Sequence, residues 1–113
     1  MSNLDTHAPL TTRTPFRICS ISKHFACALV MWEVAAGRIA LDAHPGRYLP
    51  WTKQMDRVLT LAHLMQNKSG VRDQWVLAMM MGTTATPPFT LDDGVAVNRR
   101  APESMFAPGS QNL

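Results

Sequence analysis

The sequence predicts an all-α fold, a small bundle of three main helices with flexible termini and room for one minor β-hairpin near the C-terminus. Three observations carry that expectation. Apolar residues recur at three- and four-residue steps over Ile21–Ala43 and Trp51–Asn67, a helical period. A third stretch, Val71–Met81, is short and apolar. Between them lie Pro45-Gly46 and Asn67-Lys68-Ser69-Gly70, both strong helix terminators.

Residues 1–14 mix Ser, Thr, Asn, Asp and Pro without periodicity, and read as a flexible arm ahead of a helical domain over residues 15–97. The first helix takes Ser20 or Ser22 as its N-cap, since a hydroxyl there accepts an orphan backbone N–H. Ile21, Phe25, Ala28, Leu29, Trp32, Ala36 and Ile39 form one stripe on this helix. Cys27, Val30, Val34 and Leu41 make the opposite side apolar too. Such a helix is central to a bundle or gives its second face to a partner. Gly37 falls inside the pattern, where it costs about 1 kcal/mol relative to Ala and reads as a kink or a close approach.

Pro50 is well placed in the first turn of the second helix. Its stripe is Trp51, Met55, Val58, Ala62 and Met65, widened by Leu59 and Leu61. In the third helix Arg72, Asp73 and Gln74 are the only polar group. Phe89–Val97 alternates around Asp93-Gly94 and suggests a minimal hairpin. Residues 98–113 read as a disordered tail.

The 113 residues carry a formal charge of +3, unevenly spread. Between Arg13 and Arg72 there are nine Lys or Arg against three acids. This leaves open an ordinary solvated surface or a basic face for an anionic partner. Arg38, Arg47, Lys53, Arg57, Lys68 and Arg72 are the candidates for phosphate contacts without sequence preference. Arg72 and Gln74 also stand where a helix-turn-helix would read bases, but the short apolar helix that follows lacks the polar face such a helix needs.

Cys19 and Cys27 lie eight residues apart, about 12 Å along one helix and out of disulfide reach unless the helix starts after Cys19. With no basic and apolar leader at the start, the expectation is a reducing, cytoplasmic setting. Lys23, His24, Glu33 and Arg38 argue against a membrane span over the first helix. Cys19, His24 and Cys27 are the best metal-like cluster, but a structural zinc site takes four ligands and no motif supplies the rest. Neither a metal nor another cofactor is expected. No spacing pairs a nucleophile with a base, and the single glycines make no phosphate loop, so the expectation is no enzyme and no small-molecule substrate.

Eight methionines, with Met79-Met80-Met81 contiguous, suggest an adaptable surface, because three successive side chains cannot share one core. Val30, Val34, Leu41, Met79, Met80 and Met81 are the candidate interface. The expected function is a non-catalytic helical subunit or regulator docking through apolar faces onto a protein or nucleoprotein assembly, or onto a second copy. The alternative is a stand-alone nucleic-acid-binding regulator with a basic helical face.

Overall fold

The structure, a computed structural model, describes residues 5–80, 82 and 89–111. The chain divides into two compact units, Met1–Trp32 and Glu33–Leu113. Four α-helices are present among the described residues: α1 (Ser22–Ala35), α2 (Leu61–Met65), α3 (Gln74–Met80) and α4 (Leu91–Arg100). Single 3-10 turns form at Cys19–Ile21, Pro45–Arg47 and Pro50–Thr52. The expected bundle of three main helices does not form, and the causes are local.

In the first unit, Thr11 and Thr14 close a small turn through the Thr14 N–H to Thr11 carbonyl bond (3.1 Å) and the Thr11 N–H to Thr14 Oγ1 bond (2.9 Å). The Cys19–Ile21 turn then leads into α1. None of the α1 residues is buried. Its stripe of Phe25, Leu29 and Trp32 is open to solvent, with Trp32 72% exposed. The side bearing Cys27 and Val30 is half-buried.

α1 stops at Ala35, eight residues before the expected end at Ala43. Gly37 adopts a φ of +72°, its N–H bonds the Val34 carbonyl (2.9 Å), and the Arg38 N–H bonds the Glu33 carbonyl (3.0 Å). This is a Schellman ending with glycine in the left-handed position just past the helix. Gly37 is therefore a stop and not a kink. The Arg38 guanidinium also grips the Glu33 carboxylate in a two-pronged pair (2.5 and 2.8 Å). That hydrogen bond lowers the Glu33 pKa and raises that of Arg38.

The second expected helix, Trp51–Asn67, survives only as α2. Local side-chain bonds take its backbone first. Asp56 Oδ1 accepts from the Val58 N–H (3.1 Å), and the Leu59 N–H bonds the Asp56 carbonyl (3.0 Å), which makes a turn. Thr60 then caps α2, accepting from the His63 N–H (3.3 Å) while His63 Nδ1 accepts from the Thr60 N–H (3.3 Å). The breaks rotate the stripe, so Leu59 is buried and Val58 is 62% exposed. A second Schellman ending closes α2, with Asn67 at φ +55° and the Lys68 N–H on the His63 carbonyl (2.8 Å).

The connector ahead of α2 is ordered by its polar groups. His44 uses both ring nitrogens, Nδ1 accepting from the Gly46 N–H (2.9 Å) and Nε2 donating to the Asp56 carbonyl (3.1 Å). The Leu61 and Ala62 N–H groups bond the Ala43 and Leu41 carbonyls (3.1 and 2.9 Å). Asp73 starts α3 by accepting from the Trp75 and Val76 N–H groups (2.7 and 3.2 Å).

The expected hairpin is the helix α4. Asp93-Gly94 reads as a turn, but Thr90 and Asp93 form a reciprocal cap instead. The Thr90 hydroxyl accepts from the Asp93 N–H (3.2 Å), and the Asp93 carboxylate accepts from the Thr90 hydroxyl (2.6 Å) and N–H (2.8 Å). Asp92 and Asp93 stand in the first turn and Arg99 and Arg100 in the last, each favoured by the helix dipole. α3 and α4 pack together, with the Trp75 and Phe89 rings 4.6 Å apart. A Cβ at Gly94 would lie 2.6 Å from Gln74 Oε1, so glycine permits the close approach.

Residues 101–111, expected within a tail, return to the turn after α2. The Met105 N–H bonds the Gly70 carbonyl (2.8 Å), the Gly109 N–H bonds the Lys68 carbonyl (2.7 Å), and Arg72 Nε donates to the Glu103 carbonyl (3.2 Å). Among the described residues the buried apolar core is small: Met55, Leu59 and Ala78, joined by Pro45.

Two outcomes test this account. Gly70 combines φ +70° with a Cβ position that collides with the Phe106 carbonyl. Gly70→Ala should destabilise the second unit by roughly 1–3 kcal/mol, read as a lower urea midpoint at unchanged slope. In α4, the Thr90 hydroxyl and then the Thr90 N–H hold the Asp93 carboxyl below its usual range. Its contribution is complete above the unfolded value of about 3.9 and is lost as pH falls through the lower folded value. Protection factors of the α4 amides should therefore fall on acidification below that point, and Thr90→Ala should weaken this pH dependence, leaving the part carried by the residue-90 N–H.

Candidate functional site

The start of α1 carries the densest chemistry in the first unit. Ser20 lies in the Cys19–Ile21 turn, Lys23 in the first turn of α1, and His24 follows it. All three side chains are exposed. Lys23 and His24 follow Ser20 by three and four residues, across the junction between the 3-10 turn and α1.

The turn beneath them is built by its own backbone. Cys19 holds a φ of +46°, an uncommon left-handed conformation for a residue with a Cβ. The Ile21 N–H bonds the Ile18 carbonyl (3.1 Å), and the Ser22 hydroxyl donates to the Cys19 carbonyl (2.5 Å). Ser22 is thereby spent on the turn, which leaves Ser20 with a hydroxyl not used by it. The His24 ring sits with Nδ1 3.3 Å from the Ile21 carbonyl.

Sequence reasoning treats Ser20 only as a cap. The signal it misses is Ser20-Ile21-Ser22-Lys23, an S-x-x-K quartet. In class A β-lactamases and penicillin-binding proteins that quartet carries the nucleophilic serine with a lysine one turn on. Those proteins add S-D-N and K-T-G triplets, and neither occurs in this chain. Lys68-Ser69-Gly70 comes nearest in letters, but it is the turn after α2, with the Ser69 hydroxyl accepting from the Val71 N–H (3.2 Å).

The expected interface residues are dispersed. Val30 is half-buried in the first unit, and Val34 and Leu41 are half-buried in the second. Met79 and Met80 on α3 are exposed, and Met81 lies outside the described residues.

The basic candidates are largely engaged within the chain. Arg38 pairs with Glu33, Arg47 lies 5.8 Å from the Tyr48 ring centre, and Arg72 bonds the Glu103 carbonyl. Lys53 packs its stem near Gly46, Lys68 is half-buried, and Arg57 is exposed beside a groove of roughly 680 Å³. Met55, Pro102, Glu103, Phe106 and Ala107 also line that groove.

Cys19 is exposed and Cys27 half-buried, both as free thiols. Among the described residues no cluster of three or more His, Cys, Asp or Glu is placed to hold a metal ion. No helix among them is long and apolar enough to cross a membrane.

The beta-lactamase family model matches residues 1–108. A D-aminopeptidase of Cereibacter sphaeroides strain KD131 is 34% identical over 110 residues, covering 96% of this chain and 20% of that protein. A D-aminopeptidase of Brucella anthropi is 33% identical over 109 residues, 96% of this chain and 20% of its own length. One from Gluconobacter oxydans strain 621H is 37% identical over 82 residues, 72% of this chain and 15% of its own length. The chain thus spans about a fifth of the length of the first two of these curated relatives. No solved structure matches it.

These matches correct two expectations. The family domain is normally α/β, so the all-α bundle is overturned as a fold class, and the helices described above do not alone define the fold. The non-catalytic subunit or regulator, with its nucleic-acid-binding alternative, is overturned because the relatives are named as peptidases and so point to a hydrolase. Matched over nearly its whole length, and with the S-x-x-K quartet inside the match, this chain belongs to the beta-lactamase family.

Proposed function

We propose that this chain carries the nucleophile-bearing segment of a serine hydrolase that cleaves amide bonds of peptides beginning with a D-amino acid. The observation that carries the reading is the Ser20-x-x-Lys23 quartet at the start of α1, within the family match. The substrate class rests on the name shared by the relatives, D-aminopeptidase.

Ser20 is the nucleophile and Lys23 the base beside it. Ser20 Oγ attacks the carbonyl carbon as its proton passes to the Lys23 amine. The tetrahedral intermediate collapses, the C–N bond breaks, and the leaving amine takes that proton from Lys23. Water then attacks the Ser20 ester, giving a proton to Lys23 that returns to Ser20 Oγ as the acid is released. Each step conserves protons and needs no co-reactant but water. The N-terminus of α1 supports the same chemistry, since the partial positive charge of a helix start favours an oxyanion.

The test is acylation of the purified protein by a fluorophosphonate probe, read by intact mass and peptide mapping, alongside hydrolysis of D-alanine p-nitroanilide. The expected adduct is on Ser20. It should disappear in Ser20→Ala and form roughly 10²–10⁴-fold more slowly in Lys23→Ala. Labelling that persists unchanged in Ser20→Ala would refute the assignment.

A further inference from the structure

We propose that the groove of the second unit binds a free α-amino acid with an apolar side chain, held by both of its charged ends; the inference stands apart from the reading of Ser20. The groove measures roughly 680 Å³, within the size range of small-molecule sites. One wall comes from residues 54–57 and the other from the segment that follows α4. Three charged side chains line it, Asp56, Arg57 and Glu103, and among the described residues none of them enters an ion pair. A cation and two carboxylates that share a groove without pairing leave both signs open to a ligand. A ligand of one sign would satisfy half of that set and meet the like charge of the other half. An amino acid carries an ammonium and a carboxylate on adjacent atoms and so answers both.

The walls are fixed by bonds that leave these charges unspent. His44 Nε2 donates to the Asp56 carbonyl (3.1 Å), and the Val58 N–H takes one oxygen of the Asp56 carboxylate (3.1 Å). On the opposite wall Arg72 Nε donates to the Glu103 backbone carbonyl (3.2 Å), which leaves the Glu103 carboxylate out of that bond. Gln54 Nε2 donates to the Arg99 carbonyl (3.1 Å) and ties the first wall to the end of α4. Met55, only 6% exposed, and the half-buried Phe106 supply the apolar lining. The division of labour follows from the chemistry of each group. The Arg57 guanidinium offers its fork of N–H donors to the ligand carboxylate. Glu103, with the second oxygen of Asp56, takes the ammonium, and Met55 and Phe106 face the side chain. Arg57 and Glu103 are exposed, so solvent screens them and the affinity is of roughly millimolar order.

The experiment titrates the ¹⁵N-labelled intact chain with leucine, with N-acetylleucine, which lacks the ammonium, and with leucinamide, which lacks the carboxylate. Leucine should shift the amides of Gln54, Met55, Arg57 and Phe106 in a saturable way. Each of the other two should bind roughly three- to tenfold more weakly. Arg57→Gln should close the gap between leucine and leucinamide, and Glu103→Gln should narrow that between leucine and N-acetylleucine. The Met105 and Gly109 amides, bonded to the turn after α2, report that the fold is kept in both variants. Shifts that fail to saturate, equal binding of the three ligands, or gaps that both variants leave unchanged would overturn the proposal.

Discussion

The second unit depends on one close approach, the passage of the Phe106 backbone against Gly70. A Cβ at residue 70 would overlap the Phe106 carbonyl, and the φ of +70° is one that side chains resist. With hydrogen alone there, the Gly70 and Lys68 carbonyls receive the Met105 and Gly109 N–H groups, and Arg72 reaches the Glu103 carbonyl. These bonds bring a polar, proline-bearing segment back against the turn after α2. The buried apolar core nearby is too small to hold that segment by burial alone.

The start of α1 follows a different logic, in which the backbone of a few residues sets out the chemistry. Cys19 takes an unfavourable left-handed conformation, and the Ser22 hydroxyl bonds its carbonyl. Strain of that kind costs of order 1–3 kcal/mol and persists where surrounding bonds over-determine it. Ser20 follows in the same 3-10 turn, with Lys23 and His24 in the first turn of α1 after it. Reactive groups grouped by helical spacing need few long-range contacts to stay together, which suits a segment whose helix buries none of its residues.

The positions of α1, α2 and α3 were legible in the sequence, while their lengths and the whole of α4 were not. Periodicity located α1 and α3 and the apolar residues that include Leu59 and Met55. It overran each helix because a hydrophobic pattern carries no information about competing polar bonds. Asp56 captured the Val58 N–H, Thr60 recapped the chain, and Gly37 closed a Schellman ending, each dividing a stretch that the period treats as continuous. Asp93-Gly94 failed in the reverse sense, since a dipeptide typical of hairpin turns serves equally as the third and fourth residues of a capped helix. The S-x-x-K quartet was legible as well, in four consecutive letters, and was passed over because a serine before an apolar stripe also has the look of a cap.

By itself the sequence determined what depends on neighbours within a turn or so: the S-x-x-K spacing, the start of α1, the reciprocal cap of α4 and the glycine ending of α1. Such features are settled by residues three to five apart, whose geometry the helix supplies. Only the tertiary structure decided which apolar face of α1 is open, that Leu59 and not Val58 is buried, and that residues 103–109 return to Lys68 and Gly70. The last of these turns on partners distant in the chain, where a backbone carbonyl has many equivalent choices. For the return of residues 103–109, steric fit at Gly70 selects among them, and no local pattern encodes that fit.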